Sequence, residues 1–137
     1  MNGLIALESL RAAAAVAEYG AARGWSLDVA GSLEEAVRLS RFRHYDTVIC
    51  DQSFEGISCT AGLRIARAAK RVDARTRTIV LATSMSASSD DARQRGDVDV
   101  ILLKPQPLSL LYAYANVCAA PNEGLLRTGE WTPRVYR

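Results

Sequence analysis

An aspartate, a threonine and a lysine each follow directly on a short apolar run: Asp51 after Thr47-Val48-Ile49-Cys50, Thr83 after Thr78-Ile79-Val80-Leu81-Ala82, and Lys104 after Val100-Ile101-Leu102-Leu103. A carboxylate, a hydroxyl and an ammonium gathered in one place can bind a phosphoryl group or accept one, because phosphoryl transfer depends mostly on alignment and on neutralising charge. Arginines outnumber lysines fifteen to two. A lysine at 104 is therefore informative, since it offers a compact, movable point charge where arginine offers a planar fork.

The three residues are distant along the chain, so the fold must bring them together. Their runs are short enough for strands buried on both faces, and helix-like sequence separates each from the next. Parallel strands would deliver all three residues to one edge of a sheet. That carboxyl edge is where open α/β sheets place their ligands.

The rest of the chain supports this plan. Gly3 to Leu7 reads as a first strand, followed by an Ala-rich helix over Ser9 to Arg23 with Gly24 as its C-terminal cap. Trp25 to Ala30 alternates like a strand, and Ser32-Leu33-Glu34-Glu35 is a capping box opening a helix to about Phe42. After Asp51, the loop Gln52 to Ser58 leads to a helix from about Cys59 to Arg71, with Leu63, Ile65, Ala66 and Ala69 on its inner face. Ser89-Asp90-Asp91 suits a short helix start that Gly96 terminates. Pro105 and Pro107 punctuate the chain before an apolar helix from about Leu108 to Ala119. Five strand-helix units predict an α/β fold: a doubly wound, five-stranded parallel sheet of flavodoxin-like type with helices on both faces. Residues 1–120 form the expected domain, and 121–137, with Gly124, Gly129, Trp131, Pro133 and Tyr136, an irregular extension.

Composition narrows the function classes. The 137 residues are 49% hydrophobic, enough for one cored domain, and the formal net charge of +2 is too small to imply a nucleic-acid partner. No segment approaches the ~18 apolar residues of a membrane span, so a cytoplasmic protein with no membrane partner is expected. Cys50, Cys59 and Cys118 lack metal-ligand spacing and read as reduced thiols. Glu8-Ser9-Leu10-Arg11 stands where a Gly-rich phosphate loop would follow the first strand, and His44 is the one histidine. A nucleotide binder or a hydrolase with a Ser-His-Asp or Cys-His set is thereby disfavoured. Arg64, Arg67, Lys70, Arg71, Arg75 and Arg77 form a basic stretch, read as a solvated helix face.

Tyr45 to Asp51, Ile79 to Ser84 and Gly96 to Pro105, in that order, resemble three segments of the receiver domain of bacterial response regulators (the CheY-like family), and the likeness extends over roughly residues 3 to 119. The resemblance implies a two-component phosphorelay. Asp51 would take a phosphoryl group from a sensor histidine kinase or phosphotransfer protein, Thr83 would hydrogen-bond the modified side chain, and Lys104 would neutralise its charge. It also implies a cis Lys104-Pro105 bond and a Mg²⁺ ion held by Glu8, Asp51 and the Ser53 backbone carbonyl.

Three positions depart from the family pattern. Leu7 replaces one of two adjacent acidic residues, which weakens the expected Mg²⁺ site. Ile101 stands where an aromatic switch is common, and Glu55 where a proline is. These departures favour an atypical receiver with output through protein-protein contact. The alternative is a phosphorylation-independent pseudo-receiver acting as a protein-interaction module or homodimer. No enzymatic activity is expected beyond self-phosphorylation and slow dephosphorylation.

Overall fold

A computed structural model of the chain describes residues 1–54, 60–83 and 95–116. Its elements are β1 (Asn2–Ala6), α1 (Leu10–Ala21), β2 (Ser26–Val29), α2 (Leu33–Phe42), β3 (Thr47–Asp51), α3 (Ala61–Val72), β4 (Arg77–Ala82), β5 (Val100–Leu103) and α4 (Leu108–Ala115). The strands form one sheet in the order β2-β1-β3-β4-β5, with every neighbouring pair parallel. The expected doubly wound sheet is what forms. The short helix expected from Ser89 and the extension over 121–137 lie outside the described residues.

Period-two alternation along the strands separates two apolar layers. Leu4, Val48, Cys50, Val80 and Ile101 face α2 and α3, whose Ala36, Leu63, Ile65, Ala66 and Ala69 complete that core. Ile5, Leu7, Ile49, Ile79, Leu81 and Leu102 face the other way, against Val16 of α1 and Leu111 and Tyr112 of α4. Full burial of each such aliphatic side chain stabilises by roughly 1.5–3 kcal/mol, so strands lined on both faces cannot slip by one residue without exchanging the layers.

Local signals set the helix starts. Ser9 Oγ accepts from Ala12 N at 3.2 Å, and Gly24, at φ +90°, turns the chain into β2. Ser32 Oγ accepts from Glu35 N at 3.1 Å, while the Glu35 carboxylate accepts from Gly31 N at 2.8 Å, one residue earlier than in a standard capping box. α1 and α4 are joined by Tyr112, whose hydroxyl donates to the Val16 carbonyl at 2.6 Å and whose ring stacks on Tyr19. Burial pushes the Tyr112 phenol up to about 12.

Polar ties fix the opposite, amino edge of the sheet. Asn2 and Asp46 bond reciprocally, Asn2 N donating to Asp46 Oδ2 at 2.8 Å and Asp46 N to Asn2 Oδ1 at 3.0 Å. Asp99 accepts from Thr78 N and from Lys70 Nζ, both at 2.8 Å, joining β4, the approach to β5 and the end of α3. Arg67 reaches Asp97 at 3.3 Å, and the largely buried Arg77 donates from Nε to the Tyr114 carbonyl at 3.3 Å. The basic stretch is thus only partly a solvated face: Arg67, Lys70 and Arg77 are structural. His44 likewise has a partner, Asp73, at 2.8 Å.

Candidate functional site

The chain leaves β1 for β2 on one side and returns to β3 on the other, so the sheet's switch point lies between β1 and β3. At such a point the connections diverge and leave a crevice at the carboxyl ends of the strands. Asp51 is the last residue of β3 at that crevice, with 3% of its surface exposed. A carboxylate so buried must be met by donors or a counter-charge. Its Oδ2 accepts from Glu8 N at 2.8 Å, and Lys104 Nζ lies 2.6 Å from its Oδ1.

Lys104 belongs to the end of β5, two strands from β3 and so roughly 10 Å away across the sheet. Only a long side chain spans that gap, and 41% of the Lys104 side chain remains exposed. Its base is held firmly. Lys104 N donates to the Ala82 carbonyl at 2.8 Å, the Lys104-Pro105 peptide is cis, and the Gln106 amide donates to the Leu103 carbonyl. The Lys104–Asp51 contact is an ion pair and not an aligned hydrogen bond, since Oδ1 has no hydrogen-bonding donor.

Thr83 follows β4 directly and is exposed. The pairing of Ala82 with Leu103 sets Thr83 and Lys104 side by side just past their strands. The structure thus joins Asp51 to Lys104, and places Thr83 at the same edge on the solvent side. Ser53 is exposed on the loop after β3. Glu8, expected as a metal ligand through its side chain, meets Asp51 through its backbone amide.

Two features of the site had no clear signal in the sequence. Gly62, in the first turn of α3, packs on the end of β3, and its N–H donates to the Gln52 carbonyl at 3.2 Å. The other is a cleft of about 480 Å³ beside Asp51 and Lys104, with largely apolar walls that include Leu7, Val16, Leu81, Pro105 and Leu111. Leu7 is 3% exposed and contributes to both this cleft and the core.

Cys50, next to Asp51, is a free thiol buried against the Gly62 and Ile79 carbonyls. Burial, reinforced by the Asp51 charge, pushes its thiol far above the ordinary range, so it serves packing and not nucleophilic chemistry. Cys59 and Cys118 lie outside the described residues. Among the described residues no three His, Cys, Asp or Glu side chains cluster as a metal group, and no helix is long and apolar enough to cross a membrane.

No protein-family model matches the sequence, and no curated protein matches it. Solved structures do. A Francisella response regulator receiver domain aligns with a TM-score of 0.69 at 20% identity, over 84% of this chain and 93% of that one. A Burkholderia pseudomallei response regulator with a phosphorylated aspartic acid, a calcium ion and citrate aligns at 0.76 and 19% identity, over 94% and 72%. The receiver domain of a Pseudomonas aeruginosa sensor histidine kinase, with magnesium coordinated in its active site cleft, aligns at 0.67 and 15% identity, over 83% and 93%. At these identities the likeness defines the fold. The chain has the CheY-like receiver fold of two-component response regulators.

Proposed function

We propose that the domain is a phosphoacceptor receiver in a two-component relay, with Asp51 as the acceptor. The observation that carries this reading is the 2.6 Å approach of Lys104 Nζ to Asp51 Oδ1 at the carboxyl edge of the sheet. A carboxylate oxygen of Asp51 attacks the phosphorus of a phosphohistidine; the new O–P bond forms as the N–P bond breaks, and the imidazole leaves with the electron pair. The acyl phosphate carries more negative charge than the carboxylate, and the Lys104 ammonium neutralises it. Thr83, beside Lys104 at the strand ends, supplies a hydroxyl to the same oxygens. Output is by protein contact.

Mg²⁺ suits this donor set. It binds through one or two carboxylates while keeping several waters, and the buried Asp51 Oδ1, without a hydrogen-bonding donor, is an oxygen that such an ion satisfies. Asp51, Glu8 and the Ser53 carbonyl would hold it, and the ion would screen phosphoryl charge. Leu7 removes a further carboxylate, so binding is weak.

Treatment with acetyl phosphate and Mg²⁺, followed by intact mass measurement, tests the reading. One added phosphoryl group in the native protein and none in Asp51→Asn is expected. A native protein that stays unmodified at saturating donor refutes it. The apolar Leu7 at the site favours a second reading, a pseudo-receiver that binds its partner without phosphorylation. Equal partner binding by native protein and Asp51→Asn would support that one.

A further inference from the structure

The far side of the sheet carries a constellation that the Asp51 site does not use. α2 presents Arg38, Arg41 and Phe42 at helical spacing, and α3 presents Arg64, Arg67 and Arg71; spacings of three and four set each series along one helix face. The two faces border a pair of adjoining grooves of about 480 and 410 Å³, with Val37, Arg41 and Arg64 lining both. The floor is aliphatic, formed by Leu33, Val37 and Ala68. Phe42 stands at its rim with 81% of its surface exposed, and Val72 with 43%.

The charges on this surface are unevenly matched: Arg38, Arg41, Arg64, Arg67 and Arg71 line the two grooves against one carboxylate among the lining residues, Glu34. Arg38 pairs with Glu35 at 3.7 Å and Arg67 with Asp97 at 3.3 Å. Arg41, Arg64 and Arg71 have no ionic partner among the described residues. Three such guanidiniums beside an apolar floor and an exposed aromatic combine the two residue types that interfaces favour, arginine for anions and a large ring for burial.

We propose that the α2–α3 groove is a docking surface for an acidic protein segment that carries an apolar anchor, an amphipathic helix with carboxylates along the flanks of its apolar stripe. The anchor packs on Val37 and Phe42, and the carboxylates meet Arg41, Arg64 and Arg71. Helix-in-groove recognition of this kind needs an apolar floor with anchors at i, i+3 and i+4. A nucleic acid makes poorer use of the surface. Its phosphates need no aliphatic floor, base stacking calls for several aromatic platforms where Phe42 is the one aromatic lining the grooves among the described residues, and the formal net charge of +2 gives little long-range attraction. The inference is independent of phosphorylation at Asp51.

The test uses the full chain, labelled with ¹⁵N, and two amphipathic helical peptides with the same Leu stripe, one flanked by Glu and the other by Lys. The Glu peptide is expected to shift amides of Phe42, Arg64 and Val72 and the Lys peptide to leave them in place. Arg41→Glu/Arg71→Glu should weaken binding by about tenfold or more, and Phe42→Ala severalfold, since both charge and anchor contribute. Both variants should retain the native circular dichroism and the Asp51 adduct. Shifts that map elsewhere, no binding of the Glu peptide, or equal binding by the charge-reversed variant would overturn the proposal. So would a single-stranded oligonucleotide that competes for the same amides with higher affinity, which would reassign the groove to nucleic acid.

Discussion

Gly62 rests on the backbone of Asp51: a Cβ at position 62 would lie 2.6 Å from the Asp51 carbonyl oxygen and 3.1 Å from Gln52 Cα. Both neighbours are backbone atoms at the end of a central strand, so neither can move aside cheaply. The absent side chain is what allows α3 to begin hard against the strand that carries the candidate acceptor.

Gly62→Ala is therefore expected to cost about 1–3 kcal/mol, the usual range for overpacking. It should also displace Asp51 and slow formation of the acyl phosphate. Urea unfolding and the time course of the mass adduct measure the two effects. A variant of native stability and native rate would mean that α3 does not hold the site as described.

Leu7→Asp restores a carboxylate beside Asp51 but buries a charge where an apolar side chain is 3% exposed. In metal-free buffer the variant should lose several kcal/mol of stability, the effective penalty for a buried ion. Mg²⁺ should then raise its Tm more than that of the native protein, because an ion that binds only the folded state stabilises by mass action. Thermal scans across a Mg²⁺ series read this directly; identical Mg²⁺ responses would contradict it.

Asp73 accepts from Arg75 N at 2.9 Å and from Arg75 Nε at 3.3 Å, and lies 2.8 Å from His44 Nε2. These contacts, the Arg75 backbone hydrogen bond foremost, pull its carboxyl down to about 2. A carboxyl lowered by folding adds stability above its unfolded pKa, about 3.9. That contribution is lost as pH falls through about 2. At pH 3 the Asp73 carboxyl carbon should still give the NMR shift of an ionised group, and a protonated shift there would refute the pairing.

Asp99 gathers Thr78 N, Thr78 Oγ1 and Lys70 Nζ within 2.8–3.3 Å. Asp99→Ala leaves Thr78 N without its acceptor, while Thr78 Oγ1 and Lys70 Nζ keep the Asp97 and Ala74 carbonyls; it should destabilise by about 1–3 kcal/mol, whereas Asp99→Asn keeps an acceptor oxygen for Thr78 and should cost less. Denaturant midpoints of the two variants give the comparison; equal costs would show that the Thr78 hydrogen bonds contribute little.

The strands and most helix starts were legible because they depend on local pattern. The run Val100 to Leu103 is β5 as expected, Ser32 caps α2, and Leu63, Ile65, Ala66 and Ala69 line the inner face of α3. The pairing of Asp51 with Lys104 was legible too, because parallel strands deliver their ends to one edge. Contacts made across the fold were not. Nothing in the composition around Lys70 marks it as the partner of Asp99, since that pairing exists only once α3 lies over β4 and β5. Arg77 reads like its exposed neighbours until the strand turns it inward to the Tyr114 carbonyl. The hydrogen bond from the Glu8 amide to Asp51 is of the same kind, since a backbone donor leaves no trace in residue type.

An aspartate carboxylate has two equivalent oxygens in water, but the surroundings of Asp51 make them different. The Glu8 amide fastens Oδ2, while Oδ1 faces the ammonium of a side chain whose base is anchored to the Ala82 carbonyl. One oxygen is thereby tied to the backbone that follows β1 and the other to a cation from the end of β5, so a shift of either segment registers at the same carboxylate.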